Sequence, residues 1–256
     1  MNDERVHLTR REVLISGGLL AGAALMGGLS GCGGTRGPSS ALPGPLWPSD
    51  SSGPVVAQPT PTRLPQPAPD LSLPEGVMPR SAWTRAGVAN PRDINPMNGI
   101  NRITVHHDGM PPVDLRHEGD VKARLEQIRR AHVTRRDGPF ADIGYHYIID
   151  PTGRIWEGRS IRYQGAHVKD ANEHNLGIML LGHFNHQRPT PQALAALDRF
   201  VASQMARYNV PLSRVYTHQE IKPTECPGYH LQRYMLQTRG RGGTLALAAS
   251  RGGLAG

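Results

Sequence analysis

The alternation of apolar and polar residues divides the middle of the chain into short strands and two helices. Arg102–His107 (RITVHH) alternates Ile103 and Val105 with polar residues and reads as a strand that ends in two histidines. Val121–His132 places Val121, Leu125, Ile128 and His132 on one helical face. Gly144–Asp150 (GYHYIID), the turn residues Pro151-Thr152-Gly153 and the returning Arg154–Glu157 (RIWE) predict a β-hairpin. Leu176–Leu181 (LGIMLL) is an apolar run of strand length and predicts a buried strand. Thr190-Pro191 supplies an N-cap and a first-turn proline for a helix striped by Leu194, Leu197 and Val201. Val215–His218 (VYTH) reads as a short strand or strand end. Strands mixed with two helices predict a single α/β domain, a central mixed β-sheet flanked by helices.

Composition sets the limits of that domain. The stretch from Gly33 to Pro74 is dominated by Pro, Ser, Gly and Thr, and Thr238–Gly256 is rich in Gly and poor in aromatics. Neither buries enough apolar surface to offset its ordering entropy on this reading. The expected organisation is therefore a signal segment at 1–31, a linker at 32–77, the folded domain at 78–237 and a flexible tail at 238–256. Thr9-Arg10-Arg11-Glu12-Val13-Leu14 forms a twin-arginine element ahead of an apolar Val13–Leu29. Leu29-Ser30-Gly31-Cys32 resembles the bacterial lipobox, which makes Cys32 the expected lipidation site and the following linker a spacer. The protein is thus expected to be exported and held to the membrane of the cell envelope by its N-terminal lipid. Gly33 after Cys32 lacks an acidic inner-membrane retention signal, so the outer membrane or periplasm is the expected destination where the cell has them.

Charge narrows the partner class. The formal net charge is +8, from 29 Lys and Arg against 21 Asp and Glu. This suits an anionic wall polymer, a lipid surface or simply a solvated Arg-rich exterior. No long basic run is interleaved with aromatics, so nucleic acid is not an expected partner. A monomer is expected.

Three positions stand out for chemistry. His106 (beside His107) and His218 end predicted strands, and Cys226 lies in a polar loop between Pro223 and Pro227-Gly228. A His and a Cys at the two ends of a returning loop, with a histidine of the His106–His107 pair at the end of another strand, could point at one ion as a zinc-type donor set. Zinc takes imidazole and thiolate readily, and a catalytic site leaves one position open for water. Cys226 then has a metal role and Cys32 a lipid role, with no disulfide needed between them.

Six segments in order resemble a known family. They include Arg80-Ser81-Ala82-Trp83, Ile103 through His107, Asp142 through Tyr147, Gly153 through Arg159, Gly165-Ala166-His167 with Asn175 through Ile178, and His218 through Gly228. From about Pro79 to Leu231 the chain resembles the zinc-dependent N-acetylmuramoyl-L-alanine amidases that share a fold with peptidoglycan recognition proteins and the phage lysozyme-type amidases. The resemblance implies a zinc groove at the strand ends, with His106, His218 and Cys226 as ligands to Zn2+. It implies cleavage of the amide between N-acetylmuramoyl and L-alanine in peptidoglycan or a muropeptide, by zinc-activated water. The tyrosine of the family falls on Tyr145, expected to stabilise the oxyanion, and Thr224 is expected to assist it. His167, Asn175 and His107 are candidate substrate contacts, although alternation along the strand turns His107 to the face opposite His106, where a packed, supporting role is expected. A related branch places a Glu base on the strand equivalent to Gly177–Leu181, and no acid lies there. The competing readings are a peptidoglycan-binding module without catalysis, a zinc hydrolase for another amide, and a structural zinc site.

Overall fold

The computed structural model describes residues 71–136 and 138–255. Cys32, the twin-arginine element and nearly all of the expected linker lie outside the described residues.

Six strands form one sheet, β1 (Val77–Met78), β2 (Arg102–His107), β3 (Tyr147–Ile149), β4 (Ile155–Glu157), β5 (Asn175–Leu180) and β6 (Val215–Thr217). Their order across the sheet is β1-β4-β3-β5-β2-β6. The β3–β4 hairpin is antiparallel and the remaining pairs are parallel, so the sheet is mixed as expected. Helix α1 (Glu118–Val133) covers one face; α2 (Pro191–Tyr208), α3 (Tyr229–Arg239) and α4 (Thr244–Arg251) cover the other.

The strand period decides which side chains meet which layer. Along β2 and β5, Ile103, Val105, Leu176, Ile178 and Leu180 join Leu197, Phe200, Val201, Leu231 and Met235 in the larger core. Met179 joins Leu125, Ile128, Ile148 and Trp156 in the smaller core against α1. Coverage of both faces is why β5 reads as an apolar run without alternation. The α2 N-terminus forms as its sequence requires: Thr190 Oγ1 accepts from Ala193 N, Pro191 starts the helix, and Asn209 closes it in a left-handed conformation.

Two expected boundaries need correction. Val77 already pairs with Ile155 in the sheet, so the domain begins before residue 78. The segment expected to be a flexible tail is folded. Helix α3 runs on to Arg239, and α4 buries Leu245 and Ala249 in the larger core. The Thr238 hydroxyl donates to Asp198 on α2 and its oxygen accepts from Leu245 N, which ties α2, α3 and α4 together. An eight-residue helix is marginal alone, so its stability comes from this packing rather than from a signal in its own sequence.

Candidate metal centre

Strand register brings the first two donors together. Val105 on β2 pairs with Thr217 on β6. His106 and His218 each follow by one residue, at the same edge of the sheet. His218 opens a tight 3-10 turn, His218–Glu220, secured by Glu220. The Glu220 carboxylate accepts from Thr217 N, from Gln232 and from Arg239 on α3, locking the turn to that helix. The chain then loops back, and Gln219 N donates to Cys226 O at 2.9 Å. That bond places Cys226 beside His218.

The donor atoms of His106, His218 and Cys226 all lie within 4.8 Å of one another. Cys226 Sγ sits 3.5 Å from His106 Nδ1. Zinc–nitrogen and zinc–sulfur bonds set at a tetrahedral angle span about 3.6 Å between nitrogen and sulfur. The pair therefore already has the spacing that a zinc ion needs, and the soft donor set matches that metal. Three protein donors correspond to a site of the catalytic type, with a position left for a fourth ligand.

A chain of buried groups fixes which nitrogen of His106 faces the site. His167 Nε2 lies 3.2 Å from the carbonyl oxygen of Asn175, which can only accept, so Nε2 carries the proton. In the neutral ring Nδ1 of His167 is then an acceptor. It lies 2.9 Å from His106 Nε2, which must donate. The lone pair of His106 is left on Nδ1, the atom facing Cys226. Backing of this kind orients a metal-binding histidine and selects its tautomer.

Protonation follows from burial. Burial, then the neighbouring His167 and His218, depresses the His106 pKa well below the ordinary imidazole value, so the ring stays neutral and able to ligate. Burial also lowers that of His218. Burial pushes the Cys226 thiol up to about 12, against the opposing pull of the His107 amide. Metal binding at this thiol therefore requires loss of its proton.

A groove of about 730 Å³ opens beside the donors, bounded by His167, His218 and Thr224. Arg135, Lys169 and Lys222 make its walls cationic, with Asp170 as the opposing carboxylate. Lys222 Nζ pairs with Asp170 Oδ2 at 3.4 Å, linking the loop after His218 to the loop after His167. The Thr224 hydroxyl oxygen accepts from Cys226 N, leaving its proton free to donate elsewhere. The Tyr145 ring lies 5.2 Å from that of His106. Burial, reinforced by Cys226 and Asp108, holds its phenol above the usual range, so it is a donor rather than a base.

Arg159 holds the Tyr145 segment. Its guanidinium donates to the carbonyls of Ile143, Asp142 and Gln164, joining the approach to Tyr145 to the approach to His167. Burial lowers its pKa to about 10, with Asp142 opposing the shift.

Two expected substrate contacts do not lie on the groove. Asn175 is fully buried; it accepts from the Thr104 hydroxyl and donates to Ala171 O, and its backbone carbonyl anchors His167. His107 points to the opposite face from His106, accepts from Phe184 N and sends its backbone amide to Cys226 Sγ. Both support the centre from behind. His167 does line the groove, but both of its ring nitrogens are engaged by His106 and Asn175.

On the acid-free β5, Gly177 has no room for a side chain. A Cβ added at Gly177 would lie 2.6 Å from His167 Cδ2. At Gly177 the space that a side chain would take is filled by the His167 ring. The groove cations Arg135, Lys169 and Lys222 escape sequence reasoning because they sit on separate loops and share no spacing.

Comparison with known proteins agrees with this geometry. Residues 96–229 match the model of the family described as N-acetylmuramoyl-L-alanine amidase. A peptidoglycan-recognition protein of Drosophila melanogaster is 33% identical over 156 residues, which cover 60% of this chain and 82% of that protein. The solved structure of wild-type Drosophila PGRP-LB aligns with a TM-score of 0.56 at 26% identity, covering 62% of this chain and 92% of that one. A tyrosine-to-phenylalanine variant of PGRP-LB, solved in complex with tracheal cytotoxin, aligns with a TM-score of 0.55 at 26% identity, over 62% and 92% of the two chains.

Proposed function

Because the chain belongs to the N-acetylmuramoyl-L-alanine amidase family, we propose that it is an active zinc-dependent hydrolase. Its substrate on this reading is the amide between N-acetylmuramoyl and L-alanine in peptidoglycan or muropeptides. The observation that carries the reading is the donor set itself: His106, His218 and Cys226 converge, with His106 Nδ1 turned toward the thiol by His167. A binding module has no need of a three-donor site with an open position. The tracheal cytotoxin bound to the PGRP-LB variant supports a muropeptide as the ligand.

His106, His218 and Cys226 would hold the ion. Zinc in a site of this type supplies Lewis-acid activation of water and of the scissile carbonyl. The chain's own residues do the remainder. His167 holds His106 in its ligating tautomer. Tyr145, kept protonated by burial, donates toward the carbonyl oxygen as negative charge develops there, and Thr224 adds a weaker hydroxyl donor. Arg135 and Lys169 attract the carboxylates of the stem peptide into the groove. The thiol proton of Cys226 leaves when the ion is loaded.

The amino-terminal segment completes the proposal. Lipid on Cys32 anchors the chain to the cell envelope, and the Pro-rich spacer lets the domain reach the wall. Labelled palmitate incorporated by the wild type and lost in Cys32→Ala is the expected result; label retained in that variant contradicts the anchor. For the activity, labelling of new amino termini after digestion of purified peptidoglycan should find alanine. A different new terminus moves the cleaved bond elsewhere.

A further inference from the structure

The loop that carries Cys226 borders a second depression. The groove already described meets this loop at His218, Lys222, Pro223 and Thr224. A separate open depression of about 490 Å³ meets it at Gln219 and Glu225, and is completed by Asn185, Tyr229, Gln232 and Arg233. The two share no residue.

Tyr229 is an unusual wall for it. The residue is 56% exposed, although it opens α3 only three positions after the metal-binding thiol. It is nonetheless held in place. Arg233 lies 5.6 Å from the ring centroid and donates to the phenol oxygen at 3.0 Å. Tyr229 N donates to Asn185 Oδ1 at 2.7 Å, and Asn185 Nδ2 donates to Glu225 Oε2 at 3.3 Å. A ring fixed before any ligand arrives loses little entropy on binding. Exposed, fixed aromatics bordered by amides and a carboxylate offer an apolar face and nearby hydrogen-bonding groups to one ligand.

We propose that this depression is a saccharide-binding shelf, with the Tyr229 ring as its platform. The C–H face of a pyranose packs on the ring, while Asn185, Gln219 and Glu225 serve its hydroxyl and acetamido groups. Charge assigns the two depressions to different parts of one substrate. The shelf carries Glu225 and Arg233, which cancel, and so suits a neutral glycan. The groove carries three cations against one carboxylate and suits an acidic peptide. The amide proposed for cleavage joins a saccharide to such a peptide, so the shelf rests on the hydrolase reading and extends it to the glycan side.

The test uses a peptide-free probe, chitotetraose, titrated into the full chain by isothermal calorimetry or NMR. Tyr229→Ala should weaken binding by at least about tenfold, and Tyr229→Phe by less than about threefold, since the stacking ring remains. Equal loss in both variants, undiminished binding in Tyr229→Ala, or no binding by the wild type overturns the shelf. Circular dichroism checks that the variants fold. A kinetic arm compares kcat/KM for a disaccharide-bearing muropeptide with that for a sugar-free lactyl peptide. The ratio should fall about tenfold or more in Tyr229→Ala; an unchanged ratio also overturns the shelf. A chain that binds chitotetraose through Tyr229 but cleaves neither substrate defeats the hydrolase reading alone. Normal cleavage without Tyr229-dependent binding defeats the shelf alone.

Discussion

His106 Nε2 lies 2.9 Å from His167 Nδ1, and the second nitrogen of His167 meets the backbone carbonyl of Asn175. This contact sets the orientation of a candidate metal-donor ring from a residue that sequence reasoning assigned to the substrate. His167→Ala should reduce zinc affinity by about 10–100-fold, the usual cost of removing such backing. Asn at this position restores an acceptor near the place of Nδ1 and should recover part of the loss. Competition against a zinc chelator measures both. Equal zinc affinity in the wild type and His167→Ala would contradict the role.

Gly177 should tolerate no side chain. The Cβ of Gly177→Ala would press on the His167 ring at 2.6 Å, and overpacking of this kind costs about 1–3 kcal/mol. Denaturant titration should show that loss of stability, and chelator competition should show weakened zinc binding in the same variant. Wild-type values for both would mean that the ring is free to move away.

Much of the centre was legible because it lies on regular structure. The β2 and β6 patterns place His106 and His218 at strand ends, and parallel pairing makes those ends neighbours. Alternation along β2 also separates His106 from His107, as expected from sequence. The role of Asn175 was not legible, since a polar residue near a site has the same sequence signature whether it faces the groove or backs it. The α4 helix was hidden for a different reason. Glycines flank its eight residues, and it is held by contacts with α2 and α3 that no local pattern reveals.

The α4 contact gives its own prediction. Leu245 is fully buried in the larger core. Leu245→Ala should destabilise the domain by about 2–5 kcal/mol through lost burial and the cavity left behind. Thermal or urea denaturation of the full chain would reveal it. A stability change near zero would return 238–256 to the status of a loose tail.

Acid sensitivity should follow from two histidines beside the centre. Burial lowers His132 and His146 to about 4, and Arg135 and Arg159 respectively add to the shift. His146 is fully buried; its Nδ1 accepts from Gly177 N and its Nε2 donates to Tyr163 O, which uses both nitrogens in the neutral form. The folded pKa lies below the unfolded value near 6.5, so the unfolded chain binds more protons between them. The stabilisation is complete above about pH 6.5 and is lost as pH falls toward 4. For His146 it is on the order of 1–3 kcal/mol. Urea midpoints measured with chelator present should decline across that window, and a flat profile would contradict the assignment.

Cleavage by the zinc-loaded chain is read by mass spectrometry of the soluble products released from purified peptidoglycan by the wild type and by Cys226→Ser. Free stem peptides beginning with L-alanine are expected from the wild type and should be nearly absent from the variant. Stem peptides released equally by both proteins, or by neither at any zinc concentration while the wild type still binds the polymer, would contradict the hydrolase reading.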